Sequence, residues 1–116
     1  MIGVFGTIAH IGIAVKDLKR SIELYSTLFG GQPVHSEYVT DQQVNSAMFT
    51  FGGTSIELLE STAPGSPIAK FIEKRGEGMH HVSFVVDDIV KELCDDSGLS
   101  NPTAARNQNE IIVFIS

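Results

Sequence analysis

Positive charge is scarce in this chain. Lys and Arg number 8 against 14 Asp and Glu, for a formal net charge of −6. That balance leaves no basic footprint, so neither nucleic acid nor an anionic membrane surface is an expected partner. Only a local trio, Lys70, Lys74 and Arg75, offers a grip for a small anion. Cysteine is almost absent as well: the lone Cys94 excludes an internal disulfide framework and suits a reducing cytoplasm. Long hydrophobic runs are missing too. The most apolar stretch, from Ile2 to Val15, is interrupted by His10, has no basic segment before it and no small-residue cleavage site after it. It therefore reads neither as a signal peptide nor as a bilayer span, and no membrane association is expected. With 116 residues and a hydrophobic fraction of 42%, residues 1–116 are expected to form one domain around a single core.

What the chain does have is a repeat. Ile8-Ala9-His10-Ile11-Gly12-Ile13-Ala14-Val15-Lys16-Asp17-Leu18 is echoed by Met79-His80-His81-Val82-Ser83-Phe84-Val85-Val86-Asp87-Asp88-Ile89, 71 residues on. In each copy a His enters an alternating apolar run, and an Asp followed by Leu or Ile then opens a helical pattern. Two copies point to a paired, pseudo-symmetric domain with one His from each half at equivalent depth.

Residues 7–15 alternate strictly, placing His10, Gly12 and Ala14 on one face of a strand and Ile11, Ile13 and Val15 on the other. Asp17 then caps a helix carrying Leu18, Ile22, Tyr25 and Phe29, which Gly30-Gly31 ends. Strands follow over 34–39, 44–51 and 54–60, the last two joined through Gly52-Gly53. The first half, 7–60, is thus βαβββ. Ala47, Phe49 and Phe51 share one parity and read as core. Gly12 and Ala14 are small enough to leave room for a ligand, and close sheet packing explains them equally well. His35 reads as a surface residue. A short connecting helix spans 66–76, with Ser66 as cap, Pro67 in the first turn, Lys74-Arg75 at the C-terminal end and Gly76 as the stop. The second half, 79–116, opens with a strand over 79–86 and an Asp88-capped helix bearing Ile89, Leu93 and a core-packing Cys94. Residues 97–109 then have loop composition, and 111–115 recover a strand.

His10, His81 and Glu57 are the candidate ligands, each on a strand and, for Glu57, on the face opposite Ile56 and Leu58. Two imidazoles and a carboxylate suit a divalent cation such as Zn²⁺, Mn²⁺, Co²⁺ or Fe²⁺. Spacing alone also fits two semi-buried histidines and a solvated glutamate, since no compact motif such as HExxH is present. The repeat weighs against that plainer reading by making the histidines symmetry-related.

Together, His10 to Leu18, Ile56-Glu57-Leu58-Leu59-Glu60, Ser66 to Phe71 and Gly78-Met79-His80-His81 through Asp87-Asp88-Ile89 resemble the methylmalonyl-CoA epimerase family of the vicinal oxygen chelate, or glyoxalase-like, superfamily. The resemblance covers roughly residues 7 to 96. It implies an α+β fold of paired βαβββ modules enclosing a cleft, with a divalent metal ion (Co, Mn, Zn or similar) held by His10, Glu57 and His81. It also implies an acyl-CoA substrate and a 1,1-proton transfer at its α-carbon through a metal-stabilised enolate. By strand parity His80 is expected on the opposite face. A glutamate proposed as base in some members falls at Ser46. The module-two counterpart of Glu57 would stand at position 128, beyond Ser116, so the second module reads as incomplete and Glu110 as a poor substitute ligand. An uncovered sheet edge would invite a homodimer, with strand exchange as one route. The alternatives are a truncated or degenerate member that binds metal or a small molecule without turnover, and a glyoxalase or dioxygenase of the same superfamily. The Ser66 to Phe71 and Gly76 to His81 segments favour the epimerase over the latter.

Overall fold

In the computed structural model, which describes residues 5–86, 104–107 and 110–115, the alternating run becomes the central strand of a sheet. This is β1, Phe5–Ala14. Asp17 caps helix α1, Leu18–Phe29, its side chain accepting from the Arg20 amide at 3.1 Å. Glu60 supports the same end by accepting from the Leu18 amide at 2.9 Å. Gly30, at φ 77°, closes the helix in the left-handed conformation that costs a glycine little.

The chain then lays down β2, His35–Val39, a 3₁₀ turn, Thr40–Gln42, and the hairpin of β3, Val44–Phe51, and β4, Thr54–Ser61. β4 returns parallel to β1, with Gly12 opposite Glu57. Helix α2, Pro67–Arg75, follows under the Ser66 cap, whose Oγ accepts from the Ala69 amide at 3.1 Å while its hydroxyl donates to Ser61 Oγ at 2.5 Å. β5, Gly78–Val86, crosses back antiparallel to β1 with Gly12 opposite His81. β6, Ala104–Asn107, and β7, Glu110–Phe114, complete a seven-stranded sheet ordered β2-β3-β4-β1-β5-β7-β6 among the described residues.

Two apolar clusters hold this sheet, one on each face, as the parity of β1 dictates. Val15, Phe49 and Leu58 pack beneath α1 with Ile13, Leu18, Ile22, Tyr25 and Ile56. Ala14, Val44, Leu59 and Ile68 pack beneath α2 with Phe71 and Ile72. The second cluster fills one end of the face that carries His10 and leaves the rest as a cleft.

The structure departs from the expected pattern at three points. Residues 104–107 were expected in a loop but form β6, because β7 offers a free backbone edge and ladder hydrogen bonds need no side-chain periodicity. Phe51 is not core: it ends β3 at the hairpin, is 43% exposed, and meets Phe29 edge-on at 4.5 Å. His80 does not take the opposite face. The register shifts from Gly12 opposite His81 to Ile13 opposite Met79, so His80 is the extra residue of a β-bulge and turns toward the cleft. The expected Asp88-capped helix with Cys94 lies outside the described residues.

Candidate metal centre

The three central strands β4, β1 and β5 each supply one side chain to the same point. Glu57 comes from β4, His10 from β1 and His81 from β5, at the base of a cleft of about 240 Å³ whose walls include Val39, Leu59, Ile112 and Phe114. His10 Nε2 and His81 Nε2 are 3.0 Å apart. Glu57 Oε1 stands 3.8 Å from the first and 3.9 Å from the second. A triangle with those sides has a centre about 2.1 Å from every corner, within the roughly 2.0–2.2 Å span of Zn–N and Zn–O bonds. The residues present therefore fit a divalent cation and leave further coordination positions to water or substrate.

Charge points the same way. Burial, helped by the neighbouring His10 and His80, pushes His81 down from 6.5 to about 4, so its imidazole is neutral at pH 7 and its lone pair is free for a metal. Burial also lowers His80. Glu57 is raised above its ordinary value, first by burial; His10 and His35 oppose that rise and Glu37 adds to it. Burial makes a charged Glu57 costly, and a bound cation would supply the counter-charge that offsets that cost.

Gly12 makes the geometry possible. A Cβ at that position would lie 2.2 Å from His81 Cε1 and 2.5 Å from Nδ1, so the His81 ring occupies the space that a side chain would need. Of the two readings of this glycine, close packing is correct, and what packs there is a candidate ligand.

The other singled-out residues take subsidiary places. Glu110 does not join the three converging donors; its Oε1 lies 4.0 Å from His10 Nδ1, the far ring nitrogen, and accepts from the Ser83 hydroxyl at 2.5 Å. His35 is exposed and paired with Glu37. Ser46 is buried directly opposite Glu37 across the β2–β3 ladder. The residue that sequence reasoning missed is His80, whose Nδ1 lies 2.9 Å from His81 Nδ1. Only the doubled His signalled it, since alternation cannot show a bulge.

The family model for the Glyoxalase/Bleomycin resistance protein/Dioxygenase superfamily matches residues 9–101. The chain belongs to that superfamily. Epimerases are among its relatives within that superfamily. It is 36% identical over 86 residues to the ethylmalonyl-CoA/methylmalonyl-CoA epimerase of Cereibacter sphaeroides, covering 73% of this chain and 64% of that protein. It is 33% identical over 91 residues to the human mitochondrial methylmalonyl-CoA epimerase, covering 78% of this chain and 52% of that one. The chain thus spans between about half and two thirds of the length of these curated relatives. The crystal structure of methylmalonyl-CoA epimerase from Mycobacterium tuberculosis superposes with a TM-score of 0.76 at 31% identity, over 99% of this chain and 82% of that chain. The α+β architecture of the glyoxalase-like fold is accordingly the architecture of this chain, and no helix among its described residues is long and apolar enough to cross a membrane.

Proposed function

We propose that this chain is a metal-dependent epimerase that interconverts the two epimers of methylmalonyl-CoA, or of a close 2-substituted acyl-CoA, by 1,1-proton transfer. The observation that carries the reading is the convergence of His10, Glu57 and His81 on one point about 2.1 Å from each donor. The names of its relatives supply the substrate class. His10, Glu57 and His81 would hold a divalent ion (Co, Mn, Zn or similar), which when bound supplies Lewis-acid stabilisation of the negative charge that develops on a thioester oxygen.

The protein's own contribution is placement. Val39, Leu59, Ile112 and Phe114 line the cleft and would give a bound substrate an apolar wall against water. Two metal-bound neutral imidazoles and one carboxylate would give a donor set of charge −1, which would leave a bound divalent ion net positive toward the substrate's free carboxylate and thioester oxygen. Removing an α-proton and returning it on the other face calls for proton carriers flanking a planar carbon. Ser46 cannot serve where the family resemblance places a glutamate. Glu37, directly opposite Ser46 on β2 and paired with His35, is the carboxylate beside that position.

The full reading also includes paired modules at 7–60 and 79–116 joined by the 66–76 helix, a cytoplasmic location suited to the single cysteine, and a homodimer. Among the described residues β2 and β6 are the terminal strands of the sheet, and a partner strand could pair with their outer edges. Ser46 favours a second reading, in which the chain binds metal or an acyl-CoA without turnover. Deuterium wash-in separates the two. Metal-loaded protein in D₂O should exchange the α-proton of methylmalonyl-CoA well above the uncatalysed rate, and exchange at background would sink the epimerase in favour of the binder.

A further inference from the structure

Both candidate ligand histidines turn their Nε2 atoms toward Glu57 and each other, so each presents Nδ1 to the surrounding protein. Those outward nitrogens are not left in apolar surroundings. His81 Nδ1 lies 2.9 Å from His80 Nδ1, and His10 Nδ1 lies 4.0 Å from Glu110 Oε1. A metal-bound imidazole commonly donates its second N–H to a carboxylate or other acceptor, which fixes the ring's tautomer and angle.

We propose that His80 and Glu110 are the positioning residues of this centre, accepting the Nδ1–H of His81 and of His10 and thereby holding both Nε2 lone pairs toward the cation. The proposal rests on the metal-centre reading given above.

Each acceptor is itself held. The β-bulge that leaves His80 without a partner on β1 swings its ring toward the cleft, where Phe71 of α2 and Phe114 of β7 meet it edge-on at 5.0 and 5.5 Å. Without the bulge, strand parity would send this ring through the sheet. His80 can accept at Nδ1 when its own proton sits on Nε2. Glu110 shares the face of Ile112 and Phe114 on β7, and the fully buried Ser83 hydroxyl donates to its Oε1. That contact fixes the carboxylate beside His10 while leaving Oε2 and the remaining lone pairs for the ring N–H. At 4.0 Å the His10 arm is about 1 Å longer than a formed hydrogen bond, a gap that catalytic sites commonly close when their ligand binds. Approach from Nδ1 distinguishes Glu110 from a fourth ligand, which would have to stand on the Nε2 side.

The test is Zn²⁺ affinity, measured on the full chain by competition with a chromophoric chelator. It is paired with ¹⁵N resonances of the imidazoles in the Zn²⁺-loaded protein. His80→Leu and Glu110→Ala should each weaken Zn²⁺ binding roughly 10- to 100-fold. His80→Asn, which returns an acceptor oxygen near the place of Nδ1, should restore most of the loss. In the loaded parent both His10 and His81 should be protonated at Nδ1, and each variant should remove exchange protection from one of those protons alone. A purely structural role would not move that signature. Should Glu110→Ala fail to fold, Glu110→Gln and Ser83→Ala test the same arm. Affinities within about twofold of the parent, or zinc bound through Nδ1, would overturn the proposal. His81→Ala separates its failure from that of the metal centre: a variant that binds Zn²⁺ like the parent overturns the centre itself, whereas loss in His81→Ala alone overturns only the positioning residues.

Discussion

Replacing Gly12 with Ala perturbs the site at its tightest contact. The backbone of Gly12 lies outside the left-handed region, so alanine meets no conformational penalty there and the effect is purely steric. The new methyl carbon would stand 2.2, 2.5 and 2.7 Å from three atoms of the His81 ring, where ordinary van der Waals contact begins near 3.4 Å. The ring must retreat by about 1 Å, twice the roughly 0.5 Å tolerance of a working ligand constellation. Holding the ring in place against the methyl would cost about 1–3 kcal/mol, the usual range for overpacking. Releasing it instead costs one of three donors. Either route should lower divalent-cation affinity by roughly 5- to 150-fold, since about 1.4 kcal/mol is tenfold. The assay is a Zn²⁺ competition titration alongside a thermal melt of the metal-free protein. Gly53→Ala is the control, because nothing lies within 4 Å of a Cβ added there and its φ is not positive. Gly12→Ala protein that is folded and binds Zn²⁺ within threefold of the parent would refute the claim that this glycine exists to seat the His81 ring.

Other expectations follow from the same geometry. His81→Ala should abolish stoichiometric metal binding while leaving the far-UV circular dichroism of the parent; unchanged metal content by elemental analysis would rule out the three-donor centre. Because the pKa of His81 falls from 6.5 in the unfolded chain to about 4 in the folded one, the unfolded state binds the extra proton first. Metal-free protein should therefore lose about 2 kcal/mol of stability between pH 7.5 and pH 5, with the loss beginning below about 6.5. Denaturant titrations across that range check it, and a flat profile above pH 5 would contradict it. Ser66→Ala removes the cap of α2 and one of the two hydrogen bonds that Ser61 Oγ accepts, so it should cost about 1–2 kcal/mol and shift the urea midpoint accordingly. A shift of less than a few tenths of a kcal/mol would show that α2 is fixed by Ile68 and Phe71 packing alone.

Much of the first half was legible because its local signals agree with one another. Asp17, Gly30, Ser66 and Pro67 each stand where a helix boundary demands them, and the parity of β1 assigned His10 and Val15 to opposite faces before any pairing was known. The two histidines were found by pairing the two copies of the repeat, since an offset in sequence survives folding into equivalent strands, whereas Glu57 was found by its parity against Ile56 and Leu58 and by the family resemblance. What stayed hidden depends on neighbours that sequence does not name. The bulge at His80 arises from the register against β1, and nothing in the alternation of β5 announces it. β6 owes its conformation to the free edge of β7 rather than to its own residues. The place of Glu110 beside His10 depends on which strand pairs with β5, a long-range choice outside the reach of periodicity.

The order β4-β1-β5 at the middle of the sheet has a consequence for how the chain reaches its native state. The two histidines are 71 positions apart and come together only after β5 has docked on β1. Glu57 joins only once the parallel β1–β4 pairing has closed around α1. Pairings this distant in sequence are formed late and slowly, because the chain must close large loops before any contact rewards it. A cation held by all three strands would therefore bind the finished topology and scarcely any earlier species. By mass action it would deepen the native basin by about 2.7 kcal/mol at a hundredfold excess over its dissociation constant. Metal capture during refolding would then act as a clock for completion of the sheet, with its rate set by strand docking rather than by encounter with the ion.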